Sequence, residues 1–285
     1  MTTTATTAPA AAAKAARLRR GLPIFSSTLR ENKIALLSVG GYLVLIVMLV
    51  GVLGQDFDME GFSKIANSTA GRAIFGLEGL GTEGGFIPFL SVQVYGAFFG
   101  LIFGGALAFF VGSTIARNIE NGMIELALSR PISRTRYYLE RWLGALAMIL
   151  MLSAVLLAAC AVADQIFTQT NINWGRLVAT QALGAALWFA CVGIGMLTSV
   201  IFSAGRAGGG AALGVVVLFY LFNTIGATSD SLSFLNTVSL FKYAPLSPLL
   251  IRGDLTWWHP LLLIVVGLAT DLAGLVHFNR RDLAS

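Results

Sequence analysis

Between Arg117 and Arg141 the chain reads RNIENGMIELALSRPISRTRYYLER, the densest run of charge in its 285 residues. Glu120, Glu125 and Glu140 alternate with arginines, while Ile119, Met123, Leu126 and Ala127 recur near helical spacing and make one face apolar. Pro131 breaks any helix at that point, and Ser129 or Ser133 supplies a side-chain oxygen to cap the next one. A short amphipathic helix, a turn and a second helix start form a surface on which a soluble partner docks. A loop that merely fixes topology accounts for the arginines but not for the glutamates or the Ser129-Arg130-Pro131 turn. The second chemical feature is Asp271, the one acid well inside an apolar run, with His277 less than two turns further on. Beyond these the chemistry is sparse. His259 and His277 are the only histidines, and Cys160 and Cys191 match no metal or redox spacing, so no metal site and no converging catalytic set is expected. A P-loop holds phosphates with backbone amides and the lysine of Gly-x-x-x-x-Gly-Lys-Ser/Thr. No Gly-Lys pair occurs in this chain.

The elements that position these residues are apolar helices. The chain is 56% hydrophobic and 12% charged, with a mean hydropathy of +0.79. Soluble domains carry about twice that share of charge, so lipid is the expected solvent. A spanning helix needs about 20 mainly apolar residues, and six stretches qualify, at roughly 34–54, 93–115, 142–163, 177–201, 209–228 and 260–278. The fold class expected is therefore all-α, a polytopic membrane protein with both termini on one side. Of the 19 Lys and Arg residues, five (Lys64, Arg72, Arg176, Lys242 and Arg252) fall on the side opposite the termini. The rest lie on the terminal side, which places both termini in the cytoplasm. The net charge of +5 is spread over helix ends and forms no nucleic-acid patch.

Residues 1–20 read as a disordered basic tail and 21–33 as an amphipathic helix in the cytoplasmic interface, with Leu22, Phe25 and Leu29 on its apolar side. Residues 34–285 form the membrane domain, with a cytoplasmic segment at 116–141 and an outer segment at 229–259. The outer loop at 55–92 is glycine-rich and acidic, with room for one surface helix from Met59 to Phe75. An ionised carboxylate at the bilayer centre costs roughly 2.5–3.5 kcal/mol. Asp271, with His277, is thus a candidate intramembrane polar site, serving a substrate or proton path or simply a hydrogen bond to a neighbouring helix. Gly100 with Gly104 and Gly210 with Gly214 have the spacing that lets helix backbones approach closely, within one subunit or at a dimer seam.

At 117–141 the chain resembles the permease subunits of the ABC type-2 exporter family, whose second and third spans are joined by a stretch like E-x-G-T-(L/I)-E-x-x-L-S-R-P-(V/I)-S-R. Here Glu120, Gly122, Ile124, Glu125, Leu128, Ser129, Arg130, Pro131, Ile132, Ser133 and Arg134 match it, and Met123 replaces the threonine. The resemblance implies that Glu120, Gly122, Met123, Glu125, Leu128, Ser129, Arg130, Pro131 and Arg134 form a coupling helix seated in a groove of an ABC ATPase subunit. It also implies that ATP and Mg are held by that partner and not by this chain. A second permease subunit, identical or different, completes the transporter, with membrane lipid around it. The place is a cell membrane crossed many times, bacterial or archaeal. In the resembled family, residues like 229–259 hold short re-entrant helices, which makes Phe241, Tyr243, Pro245 and Pro248 the candidate outer gate. The small outer loops resemble a compact subgroup that includes permeases of copper-enzyme maturation, a likeness that transfers no substrate. The expected function is export from the cytoplasm or inner leaflet, and the chief rival is an ATP-independent carrier or channel. Such a carrier calls for several charges along its spans, and Asp271 stands alone.

Overall fold

The computed structural model describes residues 22–54, 85–96, 99–124, 129, 132–167 and 170–281, together with Lys64 and Ser68. Among them every regular element is helical. Six helices are long and apolar enough to cross a membrane. These are α2 (Lys33–Leu53), α4 (Gly105–Glu120, entered through a π-helical turn Phe99–Gly104), α5 (Arg134–Ile166), α6 (Trp174–Ile201), α7 (Gly205–Thr228) and α10 (Trp258–Arg280). Four shorter helices complete the order: α1 (Pro23–Glu31), α3 (Phe86–Gln93), α8 (Ser233–Val238) and α9 (Leu246–Arg252).

The expected spans are all present, but the second, expected at 93–115, runs Phe99–Glu120 because Gln93 ends the separate helix α3, and the third is longer than expected. The third expected span, 142–163, begins in the structure at Arg134. Hydropathy marks only the apolar part of a helix, whereas here Ser133 accepts a bond from the Arg136 amide (3.2 Å) and starts the helix two turns earlier, through charged residues. Asn173 caps α6 in the same way through the Arg176 amide (3.1 Å). The tail at 1–20 and most of Met59 to Phe75 lie outside the described residues.

Helices α4 and α6 form the centre of the bundle, with 72% and 78% of their most apolar stretches buried inside the chain. Helix α6 packs against α10, α4, α7, α5 and α9, while α2 and α1 pack on α5, and α7 lies on α4. Aromatic packing explains the π-helical turn. Its wider winding brings Phe99 flat against Trp188 of α6 (ring centroids 4.6 Å apart) and Phe103 edge-on to the same indole at 6.2 Å. Gly184 leaves the room for this, since a Cβ there would sit 2.6 Å from the Phe99 ring.

Helix α1 starts at Pro23, whose missing amide costs nothing at a first turn. A stripe of Leu22, Phe25 and Leu29 was expected to be its apolar side. Instead Ile24 and Thr28 are buried against α5, Phe25 and Leu29 are half-buried, and Leu22 is exposed. The shift has a steric reason: Gly144 of α5 admits Thr28 so closely that a Cβ there would meet its side chain at 2.7 Å.

Candidate functional site

The segment 116–141 begins at the end of α4. Asn121 donates its amide to the Arg117 carbonyl (3.0 Å), and Gly122 then takes φ +66°, a left-handed conformation that a side chain would strain. The glycine of the motif is thus the stop signal of α4. Beyond it Met123 is 53% exposed while Ile124 is buried, so adjacent residues present one apolar side chain outward and one inward. Glu125, Leu128, Arg130 and Pro131 lie outside the described residues, and Ser129 lies within them.

Four side chains tie this segment to the rest of the bundle. The Glu120 carboxylate accepts the Gly205 amide at 2.8 Å, capping the start of α7, where the helix dipole favours an anion. Arg134 donates to the Arg281 carbonyl at 2.6 Å, past the end of α10, and Arg281 in turn donates to the carbonyls of Val200 and Phe202 at the end of α6. Glu140, almost fully buried, accepts the Ile24 amide (2.9 Å) and the Phe25 amide (3.4 Å) and pairs with Arg136 (2.9 Å). Beside it, buried Arg141 forms an ion pair with Glu31 (2.9 Å) and donates to Thr28 (3.1 Å). The ends of α4, α6 and α10 and the starts of α1, α5 and α7 therefore meet at one end of the molecule.

Sequence reasoning counted Glu140 and Arg141 only as members of a charged run. A signal for more was present: both precede the apolar stretch directly, where an unpaired buried charge is not tolerated. Their partners in α1, over 100 residues away, carry no local mark. The buried Tyr95 hydroxyl, which donates to Gln181 (3.1 Å), was missed for the same reason.

The other candidate residues fall in three places. Asp271 does not share a site with His277. Six residues on a helix turn through about 240°, so Asp271 is buried toward α5 while His277 is exposed. The carboxylate accepts the Trp142 indole N–H at 2.7 Å, and the Asp271 carbonyl accepts the Tyr138 hydroxyl at 2.9 Å.

Phe241, Pro245 and Pro248 line a cavity of about 320 Å³ at the opposite end, with Tyr95, Asn223, Asn236 and His259 among its other walls. Tyr243 stands behind it, its hydroxyl on the Thr237 carbonyl (2.7 Å) and its ring against Trp258 and His259. The short helices α8 and α9 form the 229–259 segment, and the inner residues Leu246 to Leu250 are buried against α6 and α3.

Gly100 and Gly104 approach α6 and Phe241: added Cβ atoms would meet Leu187 at 2.7 Å, Phe241 at 2.6 Å and the Cys191 sulfur at 3.1 Å. Gly210 and Gly214 have no such neighbour among the described residues. The glycines of α7 that approach α4 are instead Gly205, Gly208 and Gly209. Both cysteines are buried and unpaired. Among the described residues, no three His, Cys, Asp or Glu side chains cluster as metal ligands would.

No curated protein matches the chain significantly. A family model, the ABC-2 family transporter protein, matches residues 24–283, from the first turn of α1 past the end of α10. With six spanning helices around α4 and α6 and nearly its whole length matched, the chain belongs to the ABC-2 transporter family, as the membrane permease component of an ABC transporter.

Proposed function

We propose that the chain is the permease of an ATP-driven exporter, which moves its substrate out of the cytoplasm or inner leaflet and is coupled to a separate ATPase subunit through residues 116–141. One observation carries this reading. The segment's flanks are fastened to the ends of α1, α6, α7 and α10 through Glu140, Arg141, Arg134 and Glu120, so force applied there reaches most of the bundle. The same region contains the exposed Met123 and, in sequence, Glu125, a hydrophobic knob beside a charge of the kind a soluble partner's groove accepts.

In this reading both termini and the 116–141 segment face the cytoplasm, consistent with the excess of Lys and Arg on that side. ATP and Mg²⁺ are bound by the ATPase partner. ATP-driven closure of the ATPases pushes on the coupling segment and shifts the spans between inward-open and outward-open states. A second permease subunit faces α4 and α7 and lines the pathway with them, and Phe241, Tyr243, Pro245 and Pro248 close its outer end. The membrane is a bacterial or archaeal inner membrane.

The test is affinity purification from native membranes of the wild type and of a Met123→Asp, Glu125→Arg variant, with ATP hydrolysis assayed on the eluate. These positions carry none of the fastening bonds described above. Co-purification of an ATPase with the wild type and at least a tenfold loss with the variant, both eluting as intact folded protein, is the expected result. An ATPase that accompanies both equally overturns the assignment of the docking surface. An ATPase that accompanies neither overturns ATP coupling and favours an ATP-independent carrier.

A further inference from the structure

The outer end of α7 turns one face inward. The Phe219 carbonyl accepts the Ser239 hydroxyl (2.6 Å), the Tyr220 ring meets Phe241 edge-on at 5.7 Å, and Gly226 lies so close to α8 that a Cβ there would collide with the Asn236 backbone. Asn223 is three or four residues from each of these and shares their face of the helix. Its side chain therefore points toward the 229–259 segment and not toward lipid, and it lines the cavity of about 320 Å³ at this end.

The polar groups on this wall are open. Neither atom of the Asn223 side-chain amide has a hydrogen-bond partner among the described residues, yet neither is closed off from solvent. Asn236 donates one Nδ2 hydrogen to the Asn223 backbone carbonyl (3.3 Å), which sets the two residues side by side and leaves its second Nδ2 hydrogen unused. Lys242 stands exposed at the rim. It donates to Thr237 Oγ1 (3.0 Å) and has no ion pair among the described residues. The residues that line the cavity include no Asp or Glu, so its wall carries amide donors and a positive charge that nothing offsets. The rest of the lining is mainly apolar, with Phe241 and Leu187 closing together over Gly100 and Pro245 and Pro248 beside them.

The guest that complements such a wall brings an acceptor-rich anionic group and an apolar body. Its size is about a dozen non-hydrogen atoms, since a cavity near 150 Å³ holds benzene and this one is about twice as large. We infer that the cavity binds a small organic carboxylate from the outer side, its oxygens on the Asn223 and Asn236 amide hydrogens and its apolar body against Phe241 and Leu187. Lys242 selects for charge without having to touch the guest: at a partly wet rim an opposite charge within about 6 Å favours binding by roughly tenfold. A neutral guest of the same shape gains nothing from Lys242, and a cation is repelled. Binding here needs no ATP; only the further step, that the cavity is a station on the exit path, rests on the exporter reading.

The probe is tritiated 2-naphthoate, equilibrated without nucleotide against the full-length protein in lipid nanodiscs, with any subunits that co-purify, and corrected with empty nanodiscs for partition into lipid. The expected result is saturable binding, with 2-naphthamide about tenfold weaker as a competitor and 2-naphthylmethylamine not competing. Asn223→Leu keeps the size of the side chain but removes its donors, and it should weaken naphthoate at least about tenfold. Lys242→Gln changes an exposed position, brings the acid and the amide to equal affinity, and covers the case in which Asn223→Leu does not fold. Absence of saturable naphthoate binding overturns the inference, as do equal competition by the amide, unchanged naphthoate affinity in a folded Asn223→Leu, and charge selectivity that survives in Lys242→Gln. Failure of an ATPase to co-purify removes the exit-path step alone and leaves the binding results as they stand.

Discussion

Replacement of Glu140 tests whether α1 is held to the bundle by one buried carboxylate. With only nine residues, α1 is too short to persist as a helix by itself. In Glu140→Ala the Ile24 amide, buried and bonded at 2.9 Å, loses its acceptor, and the weaker Phe25 contact at 3.4 Å goes with it. A hydrogen bond to a charged group is worth about 1.5–3 kcal/mol. The anion at the start of a helix adds about 0.3–1 kcal/mol. The Arg136 pair contributes little, because Arg136 is 35% exposed and water screens it. Local opening of α1 should thus become easier by about 2–3 kcal/mol, a rise of roughly 30- to 150-fold in amide exchange at a tenfold step per 1.4 kcal/mol. Hydrogen–deuterium exchange followed by mass spectrometry, on the protein in lipid nanodiscs, reads this directly over Pro23–Glu31. Glu140→Gln keeps one acceptor oxygen and loses the charge, so it falls between wild type and alanine. An alanine variant whose α1 amides exchange less than about threefold faster refutes the latch. So does a rise that is equal in α6, since that would be global destabilisation and not local release.

Other outcomes follow from the close approaches of α7. Gly208→Ala places a methyl 2.5 Å from the Gly112 carbonyl and should destabilise the fold by about 1–3 kcal/mol, measured by thermal unfolding in detergent. Gly210→Ala meets nothing within 4 Å and should be neutral or stabilising by up to about 1 kcal/mol through helix propensity, in the same assay. Glu120→Gln weakens the cap on α7 by about 1 kcal/mol; exchange of the Gly205 amide should speed up while the ATPase stays bound, and loss of the ATPase would show that Glu120 itself docks. An Arg117→Cys, Gly205→Cys pair, whose Cβ atoms approach to 2.9 Å and need only slight separation to form a disulfide, should stop ATP turnover when oxidised and release it on reduction. Unchanged turnover in the oxidised protein would mean that the ends of α4 and α7 do not move apart in the cycle.

The spans were legible because the need to bury about twenty residues in lipid leaves a mark that no local detail erases. Elements set by side-chain fit were not. The π-helical turn at Phe99–Gly104 depends on Trp188 and Gly184, some ninety residues away in sequence. Helix α3 fell in a stretch read as loop, because glycines at 84 and 85 dominate its approach, although FIPFLSVQ is apolar and its proline sits in the first turn, where a helix tolerates it. At the functional end, the motif marked Glu120, Gly122 and Arg134 as important, but only the three-dimensional arrangement gives two of them a bond within the chain. Asp271 was legible as a buried acid. Its true partner, Trp142, was not, because an indole in an apolar run looks like core.

The arrangement of burial and fastening determines which helix yields to a push at 116–141. Helix α6 is surrounded, and shifting it would disturb interdigitated aromatics such as the Phe99–Trp188 stack. Helix α7 is the opposite case. Only 17% of its most apolar stretch is buried inside the chain, and near its start it meets α4 through Gly205 against Arg117, Gly208 against Gly112 and Ala116, and Gly209 against Phe109. Where Gly208 faces Gly112 and Ala116 the seam interlocks few side chains, so sliding there costs mainly dispersion contacts that re-form a short distance on. The bond from Glu120 to Gly205 attaches the start of this weakly held helix to the end of α4, beside the segment through which the ATPase is proposed to act. Arg134 and Arg281 meanwhile fix α10 to the start of α5 and the end of α6. Under the proposed coupling, displacement is directed into α7, the least buried of the six spans, whose exposed apolar face the proposed second subunit would cover.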